Sequence, residues 1–162
     1  MEISVTRASE SDLAAIAVMH VASISQLCVD HYTAEQLTTW TAGLRARVDA
    51  YAALLTSRAM FVARRADSAP LLGFGVIDAE RGFIHATYVG PDVARRGVGR
   101  CLMAAMEELA RARGCEELQL HATLNAVPFY ERLGYRHLGA ANNRLPNGSE
   151  LPCALMCKAC VT

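Results

Sequence analysis

Hydrophobic and polar positions along the chain alternate, then recur with helical period, then alternate again. Ile3-Ser4-Val5-Thr6 alternates and predicts a first strand; Ser9-Glu10-Ser11-Asp12 then supplies cap-type residues before a periodic run at Leu13, Ile16, Ala17 and from His20 to Ile24, which predicts a helix. Thr33-Ala34-Glu35-Gln36 approximates a capping box and opens a second helix through Trp40, and a third is expected from Leu44 to Leu55. Met60 to Ala63, Leu71 to Ile77 and Gly82 to Val89 read as three strands joined by short turns, an antiparallel meander. From Val98 the period becomes helical, with Val98, Leu102, Ala105, Met106 and Leu109 on one face and Gly114 as the stop. Leu118 to His121 is a short strand and Ala126 to Leu133 a short helix stopped by Gly134. Arg136 to Leu138 and Pro152 to Lys158 are the closing strands. The expected fold class is α/β in the broad (α+β) sense: one mixed, mostly antiparallel sheet flanked by helices, in a single domain over residues 1–162.

Composition narrows the partners. The 162 residues are 52% hydrophobic, the profile of a globular chain with a sizeable core. Sixteen basic residues balance sixteen acidic ones, which argues against a nucleic-acid backbone or an anionic membrane as partner, so any functional charge must be local. No apolar run approaches the roughly 20 residues of a membrane span, and the Glu2, Glu10 and Asp12 ahead of the first such run do not suit a signal peptide; a cytoplasmic location is expected. The six cysteines are expected as thiols in a reducing compartment. Cys153-x3-Cys157-x2-Cys160 is not a zinc spacing, so no metal is expected. Fifteen of the sixteen basic residues are Arg, a bias expected of a GC-rich bacterial genome.

The most informative segment runs from Tyr88 through Val89, Gly90, Pro91, Asp92, Val93, Ala94, Arg95, Arg96, Gly97, Val98 and Gly99 to Arg100. A strand enters a turn and the turn opens a helix. Gly97 and Gly99 let backbone N–H groups approach an anion, the helix points its positive end at the same place, and Arg95, Arg96 and Arg100 add charge suited to a diphosphate. A Walker loop is excluded because the chain has no Lys before Lys158. A dinucleotide fingerprint is excluded because Leu102 stands where a third glycine is needed.

Read as a motif, Ala94-Arg95-Arg96-Gly97-Val98-Gly99 resembles the R/Q-x-x-G-x-G/A acyl-CoA signature of the GNAT acetyltransferase superfamily, with both glycines matched and Ala in place of Arg or Gln at the first position. Asn125-Ala126-Val127-Pro128-Phe129-Tyr130-Glu131-Arg132-Leu133-Gly134-Tyr135 is similar to the family segment after the fifth strand, and His31-Tyr32-Thr33-Ala34-Glu35-Gln36 with Trp40 is similar to a bacterial subgroup. The resemblance covers nearly the whole chain, from Ile3 to Lys158. It implies a twisted sheet whose fourth and fifth strands splay apart, acetyl-CoA as co-substrate, and an amine of a small molecule or peptide as acceptor. Many members of the family form homodimers.

The resemblance also implies roles. Tyr130 would protonate the departing thiolate, Val89 or its neighbour would offer a backbone N–H to the oxyanion, and Tyr88, Asn125 and Phe129 would lie against the cofactor. Asn125 could equally be a helix cap. The acceptor region would fall between Leu27 and Trp40, with His31, Tyr32 and Trp40 as lining candidates and core packing as the alternative for Trp40. Imidazole suits a general base near pH 7. Strand alternation places Phe83, His85, Thr87 and Val89 on one face, making His85 a candidate base, and His121 is a second candidate by the same parity with Gln119 and Thr123. A CoA-binding module without turnover is the competing class. A toxin-type acetylase of charged tRNA is disfavoured by the zero net charge.

Overall fold

The structure is a computed structural model that describes residues 1–47, 49–65 and 70–160. The chain runs β1 (Ile3–Arg7), α1 (Leu13–Leu27), α2 (Ala34–Ala46), α3 (Asp49–Ser57), β2 (Ala59–Arg65), β3 (Leu71–Asp78), β4 (Phe83–Val89), α4 (Val98–Ala112), β5 (Glu117–Thr123), α5 (Val127–Arg132), β6 (Arg136–Arg144) and β7 (Glu150–Ala159). This is the order that the hydrophobic pattern predicts. Several boundaries differ, two of them with consequences for the site. Leu44 belongs to α2 rather than opening α3, and β6 extends to Arg144, well past Leu138. The Thr33 capping box is complete: Thr33 Oγ1 accepts from Gln36 N–H at 3.1 Å, and Gln36 Oε1 accepts from Thr33 N–H at 2.9 Å.

The seven strands form one sheet in the order β1-β2-β3-β4-β5-β7-β6, antiparallel except for the β4/β5 pair. That parallel pair is bridged only at Phe83/Gln119 and Ile84/Leu120, so the two strands part above Ile84. One face of the sheet carries α4, whose Met103 and Met106 pack among Ile84, Leu118, Leu120, Ala122, Tyr130 and Met156. The other face carries α1 and α3, with Ile16, Met19 and Tyr51 packed on Met60, Val62, Phe74 and Val76. Burying two such faces is the main stabilising term of a layered fold. A polar clamp fixes α4 to β7: Lys158 Nζ meets the Glu107 carboxylate at 2.9 and 3.1 Å, and Tyr135 donates to the same carboxylate at 3.0 Å.

The β6–β7 hairpin reaches back to α2. Its tip puts Pro146 against Gly43, and Leu145 and Leu151 pack with Cys28, Tyr32, Leu37 and Trp40. This closes a wall opposite the β4/β5 opening. Cys153 and Cys157 lie buried on β7. Among the described residues no helix is long and apolar enough to cross a membrane.

Candidate active site

The cleft between the parting strands is lined by Ile84 to Tyr88 from β4, by Leu120, His121 and Thr123 from β5, and by Tyr130 from α5. Register decides which backbone groups face it. Gly90 N–H donates to Leu72 O at 2.9 Å, so Leu72/Gly90 is a hydrogen-bonded pair of the antiparallel ladder. Alternation then turns the N–H groups of Val89 and Thr87, opposite Gly73 and Gly75, away from β3 toward the place that β5 has vacated. Two backbone donors thus point into the cleft.

At the mouth of the cleft, β4 runs through a 3-10 turn at Pro91–Val93 into α4. Arg95 has φ 63° and Gly97 φ 89°, left-handed conformations that Gly tolerates and that cost other L-residues about 1–2 kcal/mol. Gly97 is the N-cap of α4 and no side chain caps it; the first intrahelical bond runs from Cys101 N–H to Gly97 O at 3.1 Å. The N–H groups from Gly97 to Arg100 therefore have no helical partner. A Cβ on Gly97 would meet nothing within 4 Å, so the space above the turn is open. Arg95, Arg96 and Arg100 are exposed and, among the described residues, form no ion pair. Free N–H groups, a helix dipole and three unpaired guanidiniums suit an anion of two or more charges. Ala94 brings no polar side chain to the turn. Val98 is buried beneath it with Leu72 and Leu102.

Tyr130 sits at the back of the cleft. Thr87 donates its hydroxyl hydrogen to Met103 Sδ at 3.3 Å, and its side chain lies beside the Tyr130 hydroxyl. Burial pushes the Tyr130 phenol up to about 12. The group therefore stays protonated at neutral pH and is a donor. Phe129, its neighbour, faces Gly99, joining α5 to the start of α4.

The alternation expected on β4 does not hold. Between Val76/Ala86 and Ile77/Ile84 the register shifts by one residue, a bulge at His85. Ile84 packs with Met103 and Met106 on the α4 side, Ala86 and Tyr88 pack with the α1 cluster, and Thr87 returns to Met103. His85 lies on the side away from α4, where Arg58 Nε donates to its Nε2 at 3.4 Å. Phe83 and His85 are thus separated from Thr87 and Val89. His85 still lines the cleft, from the face opposite the turn. His121 is on that same face, since Leu118, Leu120 and Ala122 take the core positions of β5. Phe83 stands between the two imidazoles, with ring centroids 5.0 Å from His85 and 5.5 Å from His121.

Other placements also differ from expectation. The Tyr88 side chain stacks on Phe74 and His20 beneath α1, so only its backbone is on the side of the turn. Asn125 caps no helix: α5 begins at an Ala126 N-cap without a side-chain bond, and Asn125 Oδ1 accepts from Cys28 Sγ at 3.5 Å. Tyr32 is buried, donating to Pro152 O at 2.7 Å and accepting from Leu124 N–H at 3.0 Å, and Trp40 packs edge-on against it. These two form a strut rather than an open wall, and His31 beside them is exposed. Arg58 and Asn143 carry no signal in the sequence pattern, and Thr87, on one face with Val89, was given no role. Thr87 could have been found from its parity with Val89.

A larger groove of about 420 Å³ lies at the other end of β3 and β4, around Arg7, Asp78, Glu80 and Arg113. Its carboxylates are paired, Asp78 with Arg58 at 3.4 Å and Glu80 with Arg113 at 3.8 Å, Arg7 lies over the Phe61 ring, and the groove is remote from the turn.

Comparison with known proteins agrees with this geometry. The acetyltransferase (GNAT) domain family matches residues 28–149. The chain belongs to the GNAT acetyltransferase family. A GCN5-related N-acetyltransferase structure from Rhodopseudomonas palustris is 30% identical, superposes with a TM-score of 0.90, and is matched over 98% of this chain and 96% of that one. The PaiA N-acetyltransferase of Thermoplasma acidophilum, solved with coenzyme A, shares the fold at 19% identity, with a TM-score of 0.73 over 98% of this chain and 99% of that one. A glucosamine 6-phosphate N-acetyltransferase of Trypanosoma brucei brucei is 34% identical over 55 residues, 34% of this chain and 37% of that protein. The match therefore spans little more than a third of that relative. GNAT proteins are acyltransferases that use acetyl-CoA.

Proposed function

We propose that this GNAT protein is an acetyl-CoA-dependent N-acetyltransferase that moves an acetyl group to a primary amine of a small molecule or peptide by direct attack on the thioester. The observation that carries the reading is the alignment of an uncapped α4 N-terminus with the mouth of a cleft into which Val89 and Thr87 aim free N–H groups.

The residues fit the cofactor. Gly97, Val98, Gly99 and Arg100 would hold its diphosphate through backbone N–H groups, with Arg95, Arg96 and Arg100 screening the charge. Bound there, acetyl-CoA supplies an activated acyl group on a thiol leaving group. Val89, with Thr87 beside it, donates its N–H to the oxyanion that develops on the carbonyl oxygen. Tyr130 gives its hydrogen to the departing sulfur. A histidine from the pair His85 and His121 removes a proton from the amine, and the acceptor enters from the face opposite α4, beneath the β6–β7 hairpin. The six free thiols suit a cytoplasmic setting.

A CoA-binding module without turnover is the second reading, favoured by Ala94 at the first position of the turn motif. Thiol release from acetyl-CoA across amino sugars, polyamines and peptide amines separates the two. Release above the uncatalysed rate with one acceptor class supports the enzyme. Tight CoA binding with no release for any amine supports the module.

A further inference from the structure

We propose that His121 is the group that takes the proton of the acceptor amine and that Asn143 is its positioning residue. The inference rests on the reading of the cleft as the transfer site. Asn143 comes from β6 and reaches His121 because the β6–β7 hairpin folds back over this face of the sheet. His121 Nδ1 lies 2.9 Å from Asn143 Oδ1. An amide oxygen only accepts, so Nδ1 must carry the hydrogen and the neutral ring keeps its lone pair on Nε2. Among the described residues nothing hydrogen-bonds Nε2.

His85 is in the opposite condition. The Arg58 guanidinium has donors and no lone pair, so its 3.4 Å contact engages the Nε2 lone pair of His85. Partial desolvation and the Arg58 charge also hold that imidazole below its ordinary value, against the pull of Asp78. Of the two histidines at the cleft, only His121 offers a free lone pair from an oriented ring.

The step balances. As the amine nitrogen bonds to the thioester carbonyl carbon, one N–H hydrogen passes to His121 Nε2, and Asn143 Oδ1 accepts from the resulting imidazolium. Tyr130 gives its hydrogen to sulfur as the C–S bond breaks. His121 then releases its proton to solvent and Tyr130 regains one, leaving an amide and a thiol.

The test joins kinetics with nitrogen NMR of the histidine rings, assigned by comparison with His121→Gln. Asn143→Ala should lower kcat about tenfold or more, with the KM for acetyl-CoA within about twofold, because acid–base steps contribute about 10²–10⁴ and orientation is part of that. Asn143→Asp, which also accepts from Nδ1–H, should recover most of the loss. The ring of His121 should be the Nδ1–H tautomer in the wild type and shift toward Nε2–H in Asn143→Ala. Asn142→Ala serves as the control for the hairpin and should leave kcat unchanged. An unchanged kcat in Asn143→Ala, an Nε2–H tautomer in the wild type, or an equal loss in Asn142→Ala would each overturn the proposal. So would a kcat loss in His85→Ala with none in His121→Gln. If the wild type released no thiol with any amine, the proposed activity would fail, while the tautomer would still decide the Asn143 contact.

Discussion

A Cβ on Gly99 would lie 3.0 Å from Phe129 Cζ and 3.7 Å from Val89 Cγ1. Gly99 is in the first turn of α4 and Phe129 is in α5, so the two sequence motifs meet beside the end of β4. The absence of a side chain at 99 sets how closely the turn that opens α4 approaches the α5 segment that carries Tyr130.

That contact makes Gly99→Val a test of the turn. A branched side chain must displace Phe129 or lift the helix start, and coenzyme A affinity should fall at least about tenfold, or about 1.4 kcal/mol. Adding Phe129→Ala opens room for the valine. The double variant should bind coenzyme A better than Gly99→Val alone, as measured by calorimetric titration. Equal affinities in the two variants would refute the steric account.

Tyr130→Phe removes the proposed acid while keeping the ring among Ile84, Met103 and Tyr135. We expect kcat to drop about 100-fold, within the range for a positioned acid, and acetyl-CoA KM to change little. The pH profile gives a second check. Burial raises the phenol to about 12, so its loss of the proton should not limit kcat below about pH 11. An alkaline fall centred near pH 10 that vanishes in Tyr130→Phe would show an acid in a wetter site than this one.

The helices, strands and motifs were legible in the sequence because capping residues, period and turn glycines act within about a dozen positions. What failed depends on pairing between distant segments. The face of His85 is set by a bulge against β3, which a one-residue shift creates and no local alternation reveals. Tyr32 and Trp40 are acceptor-pocket candidates by resemblance, with core packing as the alternative for Trp40. Tyr32 is buried and Trp40 half-buried because β7 and the β6–β7 hairpin, more than a hundred residues away, pack against them. Asn143 has no signal of its own, since the alternation that marks β6 ends at Leu138, before the hairpin tip.

The Tyr32 hydroxyl gives a prediction about that hairpin. It accepts from Leu124 N–H and donates to Pro152 O, joining the α1–α2 turn, the β5–α5 turn and β7. Tyr32→Phe leaves both backbone groups without this partner and should cost about 1–3 kcal/mol of unfolding free energy, measured in urea. The same joint frames the proposed acceptor side, so the KM for the amine should rise while that for acetyl-CoA is little changed. An equal rise in both would mean that Tyr32 supports the whole cleft rather than the acceptor wall.

His20 supplies a pH dependence of stability that is separate from the chemistry. It is buried among Tyr51, Phe74 and Tyr88, with Nδ1 2.8 Å from the Tyr51 hydroxyl and Nε2 without a partner among the described residues. Burial lowers its value from the ordinary 6.5 to about 3. Between those values the unfolded chain binds a proton that the folded chain does not, so the stability from a neutral His20 is present above pH 6.5 and is lost as pH falls toward 3. From pH 7.5 to pH 5 that share amounts to about 2 kcal/mol. Urea unfolding of the wild type and of His20→Leu at both pH values isolates it. The wild type should lose about 2 kcal/mol more than the variant over this interval. Equal losses would mean that the folded protein admits a charged imidazole at this position, which would require the Tyr51–Phe74–Tyr88 cluster to open to water.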